Sequence, residues 1–174
     1  MGNLYYNSNG FAFHRIEDAV RILADLGYAG IALTPDVHHL DPLRTSDADI
    51  AAFADVLAEH ELSIVIETGA RFVIDPAKKH WPTLLDAPRD AHRRIDLLCR
   101  AIDMAERLGA PVVSLWSGCA PEGLSEYDAG LRLSEGLRTV CAYAAQAGIR
   151  VGFEPEPGML IERADQWPEI RDAV

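Results

Sequence analysis

The chain has 174 residues, of which 49% are hydrophobic and 25% charged, enough apolar side chains for one sizeable core and too many for disorder as the main state. Twenty-seven acidic residues against 16 basic ones leave a formal net charge of -11, a field that repels a phosphate backbone at long range and disfavours a nucleic-acid substrate. No uninterrupted apolar run reaches the roughly twenty residues a membrane helix needs, and no basic-then-apolar leader opens the sequence, so the chain reads as cytoplasmic.

The first β-rich run is Leu4-Tyr5-Tyr6, followed by a helical pattern through Ile16, Ala19, Val20, Leu23 and Leu26 that Gly27 closes. Gly30 to Leu33 supplies a second strand before a loop carrying Asp36, His38 and His39. Asp47 is the expected N-cap of a second helix through Ile50, Phe53, Ala54 and Leu57, after which Ile64-Val65-Ile66 forms a strand ending in Glu67-Thr68-Gly69. A proline-punctuated excursion over 70–90 precedes a third helix with Ile95, Leu98, Ile102, Ala105 and Leu108 on its apolar face. Val112 to Leu115, a helix through Leu133, Leu137, Val140 and Ala144, and the strand Arg150 to Phe153 follow, with Trp167 and Ile170 opening a fifth helix.

Cys99 and Cys141 fall on helical patterns and are expected as core thiols, whereas Cys119 follows Ser117-Gly118 at a strand end; an odd count without paired spacing predicts no disulfide framework. Strands alternating with helices through short connections predict an α/β protein with a parallel sheet and right-handed crossovers. Periodicity alone leaves two architectures, an open doubly wound sheet or part of an eight-unit barrel, and no Gly-x-Gly-x-x-Gly loop follows the first strand.

In either architecture the strand C-termini face the site, and there the sequence places His38 and His39, Glu67 and Arg71, Trp116 and Ser117, and Glu154 and Glu156. Strand-end carboxylates suit proton transfer, and an indole face suits the C–H groups of a sugar. Adjacent strand-end side chains diverge, so one of the two histidines points inward, and His39 is the candidate; each has an exposed loop histidine as its alternative. Arg71 reads either as a hydroxyl or phosphate ligand beside Glu67 or as a structural ion pair. The stretch Lys79-His80-Trp81-Pro82 reads as a lid or as a rim anchor, and Lys78, Lys79, Arg89, Arg93 and Arg94 form the one basic cluster.

The segments Gly27-Tyr28-Ala29-Gly30-Ile31, Ile66-Glu67-Thr68-Gly69-Ala70-Arg71 and Phe153-Glu154-Pro155-Glu156-Pro157-Gly158, in this order, resemble those of the xylose isomerase-like TIM-barrel family. The resemblance spans nearly the whole chain and implies a partial TIM (β/α) barrel of about five βα units of parallel strands, with residues 1–174 as one incomplete barrel domain. It implies a metal-dependent isomerase or epimerase of a sugar, sugar phosphate or related polyol, with Glu154 as both metal ligand and acid/base and His39, Glu67, Arg71, Trp116 and Glu156 as substrate contacts. The cation would be Mn, Mg, Co or Zn, and the family's other ligands come from strands after the fifth, so this chain alone would not complete the site. Open edges then imply a homo-oligomer or cover by a missing C-terminal half. The rival readings are a metal-dependent abasic-site endonuclease, for which the strand-end histidines are too few, and a non-catalytic barrel fragment.

Overall fold

The computed structural model describes residues 4–174. Five strands, β1 (Tyr5–Asn7), β2 (Gly30–Leu33), β3 (Ser63–Glu67), β4 (Val112–Leu115) and β5 (Arg150–Phe153), alternate with helices α1 (Ile16–Asp25), α2 (Asp47–Glu59), α3 (Pro88–Leu108), α4 (Glu126–Gln146) and α5 (Trp167–Ala173). Local chemistry sets these boundaries. The sequence points to Asp47 as the cap of α2, but the cap is Ser46, one residue earlier. Its hydroxyl accepts from the Asp49 amide at 3.2 Å while the Asp49 carboxylate accepts from the Ser46 amide at 3.0 Å. This reciprocal pairing needs an acceptor three residues on, which Ser46 has in Asp49. Ser125 caps α4 by accepting from the Asp128 amide at 3.1 Å, without the return bond to its own amide, and Gly109 ends α3 in the left-handed conformation at φ 68°.

The strand order is β1-β2-β3-β4-β5 with every neighbouring pair parallel. A doubly wound sheet reverses its order at a switch point, and this one does not, which removes the open-sheet alternative. Sequential right-handed crossovers put every helix on the same face, and α1 to α5 pack successively into one outer layer. The result is five consecutive units of a (β/α) barrel.

Alternation along the strands separates two environments. Ile64, Ile66, Val113 and Leu115 are buried against the helices, whereas Val65, Val112, Ser114 and Gly152 on the opposite face are half-buried. The core therefore lies between sheet and helices, filled from the sheet side by these residues and from α3 by Leu98, Ala101, Ile102, Met104 and Ala105. Gly30 is required low on the inner face, where a Cβ would collide with the Ser63 carbonyl and the Tyr5 ring. No helix among the described residues is long and apolar enough to cross a membrane.

Candidate active site

At the C-terminal ends of the strands the inner face carries a groove of about 460 Å³, lined by Asn7, Asn9, Glu67, Ser114, Glu154 and Glu156 over a floor of Ala32, Val65 and Val112. Register explains the convergence. Glu67 pairs with Ser114 and Ser114 with Gly152, so these three share one level of the inner face, and Glu154 stands two residues above Gly152 on the same side. Small residues at 32, 114 and 152 leave the space that the carboxylates border.

Hydrogen bonds beyond the ladders lock the strand ends together. The Thr34 amide donates to buried Ser8 Oγ at 2.9 Å, and the Thr34 hydroxyl bonds the Glu67 carboxylate and lies 3.2 Å from Asn7 Oδ1. Thr68 gives its hydroxyl at 2.7 Å and its amide at 3.2 Å to the Ser114 carbonyl. The Glu154 amide donates to the Leu115 carbonyl at 2.8 Å, and Ser117 Oγ accepts from the Ile161 amide at 3.0 Å. Each carboxylate thus stands on a backbone fixed by its neighbours, as a site that must hold a substrate in one orientation requires.

Beneath the groove lies a residue that the sequence grouped with surface cations. Arg94 is 2% exposed, donates through Nη2 to the Thr68 carbonyl at 2.7 Å and stacks 4.6 Å over the Trp116 ring. Among the described residues its Nη1 is a buried nitrogen with no hydrogen-bond partner. Burial pushes its pKa down to about 10, opposed by the negative charge of Glu67. The sequence did hold a signal: Arg94 lies on the stripe of Leu97, Leu98, Ala101 and Ala105, where a solvated arginine has no place.

Glu67, Glu154 and Glu156 come together at the groove, while the other candidates sit elsewhere. His39 is 3% exposed, pairs with Asp36 through an antiparallel bridge and donates from Nε2 to the His14 carbonyl at 3.1 Å. Arg71 faces Asp36 with its Nε 3.9 Å from the carboxylate. Trp116 is buried between Arg94 and the His80 ring, which meets it edge-on at 5.5 Å. His80 is held in turn by its Nδ1 donating to the Gly69 carbonyl at 2.6 Å. Cys119 is exposed and its thiol donates to the Gly158 carbonyl, and Cys99 and Cys141 are half-buried thiols whose pKa values burial raises.

Among the described residues no group of three or more His, Cys, Asp or Glu side chains is placed to hold a metal ion. A dedicated divalent site needs several converging donors, so these residues do not by themselves fit one, and Glu154 offers a single carboxylate.

Residues 20–174 match the xylose isomerase-like TIM barrel family. The chain belongs to this family. Among solved structures it is similar to D-allulose 3-epimerase from Methylomonas sp. in complex with D-allulose, with a TM-score of 0.77 and 18% identity over 98% of this chain and 58% of that one. It is similar to a family 2 AP endonuclease from Brucella melitensis, with a TM-score of 0.73 and 18% identity over 99% and 64%. A xylose isomerase-like TIM barrel protein from Mycobacterium smegmatis in complex with magnesium gives a TM-score of 0.71 and 18% identity over 98% and 61%. The chain spans less than two thirds of each of these proteins. No curated protein matches it.

Proposed function

We propose that this xylose isomerase-like chain contributes the acid/base half of an isomerase or epimerase acting on a sugar, sugar phosphate or related polyol. The observation that carries the reading is the placement of Glu67 and Glu154 on one inner face at the strand C-termini, among amide and hydroxyl side chains that suit a polyhydroxylated ligand. In this reaction a carboxylate, Glu154, takes the proton from the carbon beside the substrate carbonyl, leaving an enediolate. Return of a proton to the other face of that carbon inverts it, and return to the neighbouring carbon moves the carbonyl. Glu67, Glu156, Asn7 and Ser114 orient the hydroxyls, and Arg71 and His39 act from the rim through the loops they anchor.

A divalent cation, Mn, Mg, Co or Zn, supplies charge stabilisation in such chemistry. The magnesium in the Mycobacterium smegmatis protein supports a cation here, and Glu154 would be one of its ligands, with further donors from outside residues 4–174. The cover for the open inner face is either the rest of a barrel or a second copy of the chain. The endonuclease reading has the Brucella melitensis relative behind it, but none of the six histidines lines the groove, and a phosphoester-cleaving metal cluster draws on several.

The test is solvent exchange. The protein, with all the polypeptide its natural chain carries, is incubated in D2O with ketohexoses, ketopentoses and their phosphates, with and without added divalent metal. Deuterium should appear at the carbon next to the carbonyl, as read by NMR. No exchange on any polyol under any metal condition rejects the proposal.

A further inference from the structure

The connection from β3 to α3 builds a second cavity at the same end of the strands, about 360 Å³, walled by Trp81, Trp116, Pro121 and Met159 with Lys79 and His80 at its edge. Trp116 directly follows β4, whose Ser114 lines the groove, and Met159 lies in the segment after β5 that brings Glu154 and Glu156 to it. The cavity and the groove therefore share two loops.

The walls are fixed before anything binds. Asp86 accepts from Trp81 Nε1 at 3.1 Å, from the Thr83 amide at 2.7 Å and from the Thr83 hydroxyl at 3.0 Å. Its carboxylate is thereby committed to the loop. Thr83 packs on Gly118, where φ is +86° and a Cβ would stand 2.5 Å from the threonine side chain, and the Gly118 carbonyl accepts from the Leu160 amide at 2.9 Å. The loops after β3, β4 and β5 are thus joined around the cavity, and little ordering cost remains for a ligand.

Charge identifies the ligand. In a chain of net charge -11, four cations gather about two indoles: the Lys78 ammonium 4.3 Å and the Arg93 guanidinium 5.2 Å from the Trp81 ring centre, Arg94 against Trp116, and Lys79 at the wall. Arg93 is occupied by Asp90 and the Ile74 carbonyl, but neither Lys78 nor Lys79 pairs with a carboxylate among the described residues. An apolar cavity with unpaired Lys79 at its edge and the Lys78 ammonium over its Trp81 wall, its one carboxylate, Asp86, already bonded to Trp81 and Thr83, is complementary to a flat apolar group that carries an anion. Its volume lies at the small end of ligand sites, enough for one ring and its substituent and too little for a whole conjugate.

We infer that this cavity binds a flat apolar group bearing a phosphate or similar anion, and that this group is the non-reacting end of a substrate whose polyol end lies in the groove. The assignment to substrate rests on the isomerase or epimerase reading; the binding does not. The substrate class is then an anionic conjugate of a polyol, and a free monosaccharide would leave the cavity unused.

Phenyl phosphate, which contains no sugar, is the probe, titrated into the whole protein and followed by tryptophan fluorescence. It should saturate and bind at least about tenfold tighter than inorganic phosphate or phenyl glucoside, each of which carries half of the recognition. Lys79→Met, at an exposed position, should weaken it severalfold, and Ala120→Phe, which fills the mouth from another exposed position, should abolish it. Equal affinity for inorganic phosphate or for the neutral glucoside, no saturable binding, or indifference to Ala120→Phe overturns the inference. Phenyl phosphate binding that survives Glu154→Gln, in a protein that exchanges no polyol proton, rejects the catalytic reading and leaves the cavity assignment standing.

Discussion

Replacing Arg94 with methionine weighs a buried charge against the contacts it makes. Burial lowers the guanidinium pKa from its ordinary value to about 10, a displacement worth about 3 kcal/mol against the charged form at ~1.36 kcal/mol per unit. Methionine removes that cost. It also deprives the Thr68 carbonyl of its donor, at about 1–3 kcal/mol, and Trp116 of its cation, at about 2 kcal/mol when desolvated. The terms nearly cancel, so Arg94→Met is expected to change stability at pH 7 by no more than about 2 kcal/mol, less than the ~3–5 kcal/mol typical of a broken buried ion pair. Glu67→Gln, which withdraws the opposing charge, should cost more in the parent than in the Arg94→Met background, with a coupling of roughly 1 kcal/mol. The pH dependence has a fixed sign. Below about pH 10 the folded and unfolded chains both hold the Arg94 proton and the penalty is constant. Above it the folded chain releases the proton first, the unfolded chain binds more, and the parent gains stability relative to Arg94→Met. Urea unfolding followed by tryptophan fluorescence at pH 7 and pH 10.5 reads both effects. A loss above about 4 kcal/mol at pH 7, or a parent-to-variant difference that does not move between the two pH values, refutes the reasoning.

Three further outcomes follow from single residues. Glu154→Gln should lower isotope exchange by about 10²–10⁴-fold, the usual contribution of a general acid/base, while its exposed position leaves the urea midpoint unchanged. Ser46→Ala removes the cap of α2 and should cost about 1 kcal/mol in urea unfolding, with Ser46→Thr retaining most of it. Gly118→Ala places a side chain at φ +86° against Thr83 and should cost about 2–4 kcal/mol from left-handed strain and overpacking together; a loss under 1 kcal/mol in the same assay would mean that the two loops yield.

Element type was legible because periodicity reports which face of an element is buried. Ile16, Ala19, Val20 and Leu23 announce α1, and the β-branched run at 64–66 announces β3. The barrel was not legible from periodicity, since both candidate architectures bury the same helix stripes; the distinction lies in strand order, which is a long-range property. The shared position of Glu67, Glu154 and Glu156 was legible because parallel strands bring their C-terminal ends to one side of the sheet. The tertiary partners of the flanking residues were not. His39 meets the carbonyl of His14, 25 positions earlier, and Arg71 faces Asp36 across the β2 loop. Arg94 was hidden by its neighbours Arg89 and Arg93, which make the segment look like a solvated face unless the helical stripe is followed through it.

The same strand order that places the site leaves it half enclosed. β1 and β5 each pair on one side among the described residues, and the inner face shows Val65, Val112 and the Tyr5 ring to the groove side, where a closed barrel would bury them. Unpaired strand edges and an apolar inner wall are templates for association, and the charge of -11 opposes that association only weakly once two faces meet under physiological salt. The relatives extend well beyond the matched part, since the chain spans 58% of the Methylomonas sp. epimerase. A polypeptide of these 174 residues alone should therefore sediment as a dimer or larger species, and one extended by three further βα units should not need to. Sedimentation velocity decides between them. A monodisperse 19.1 kDa monomer with cooperative unfolding would mean that the inner face tolerates water and that cover by a second copy of the chain is not what encloses the groove.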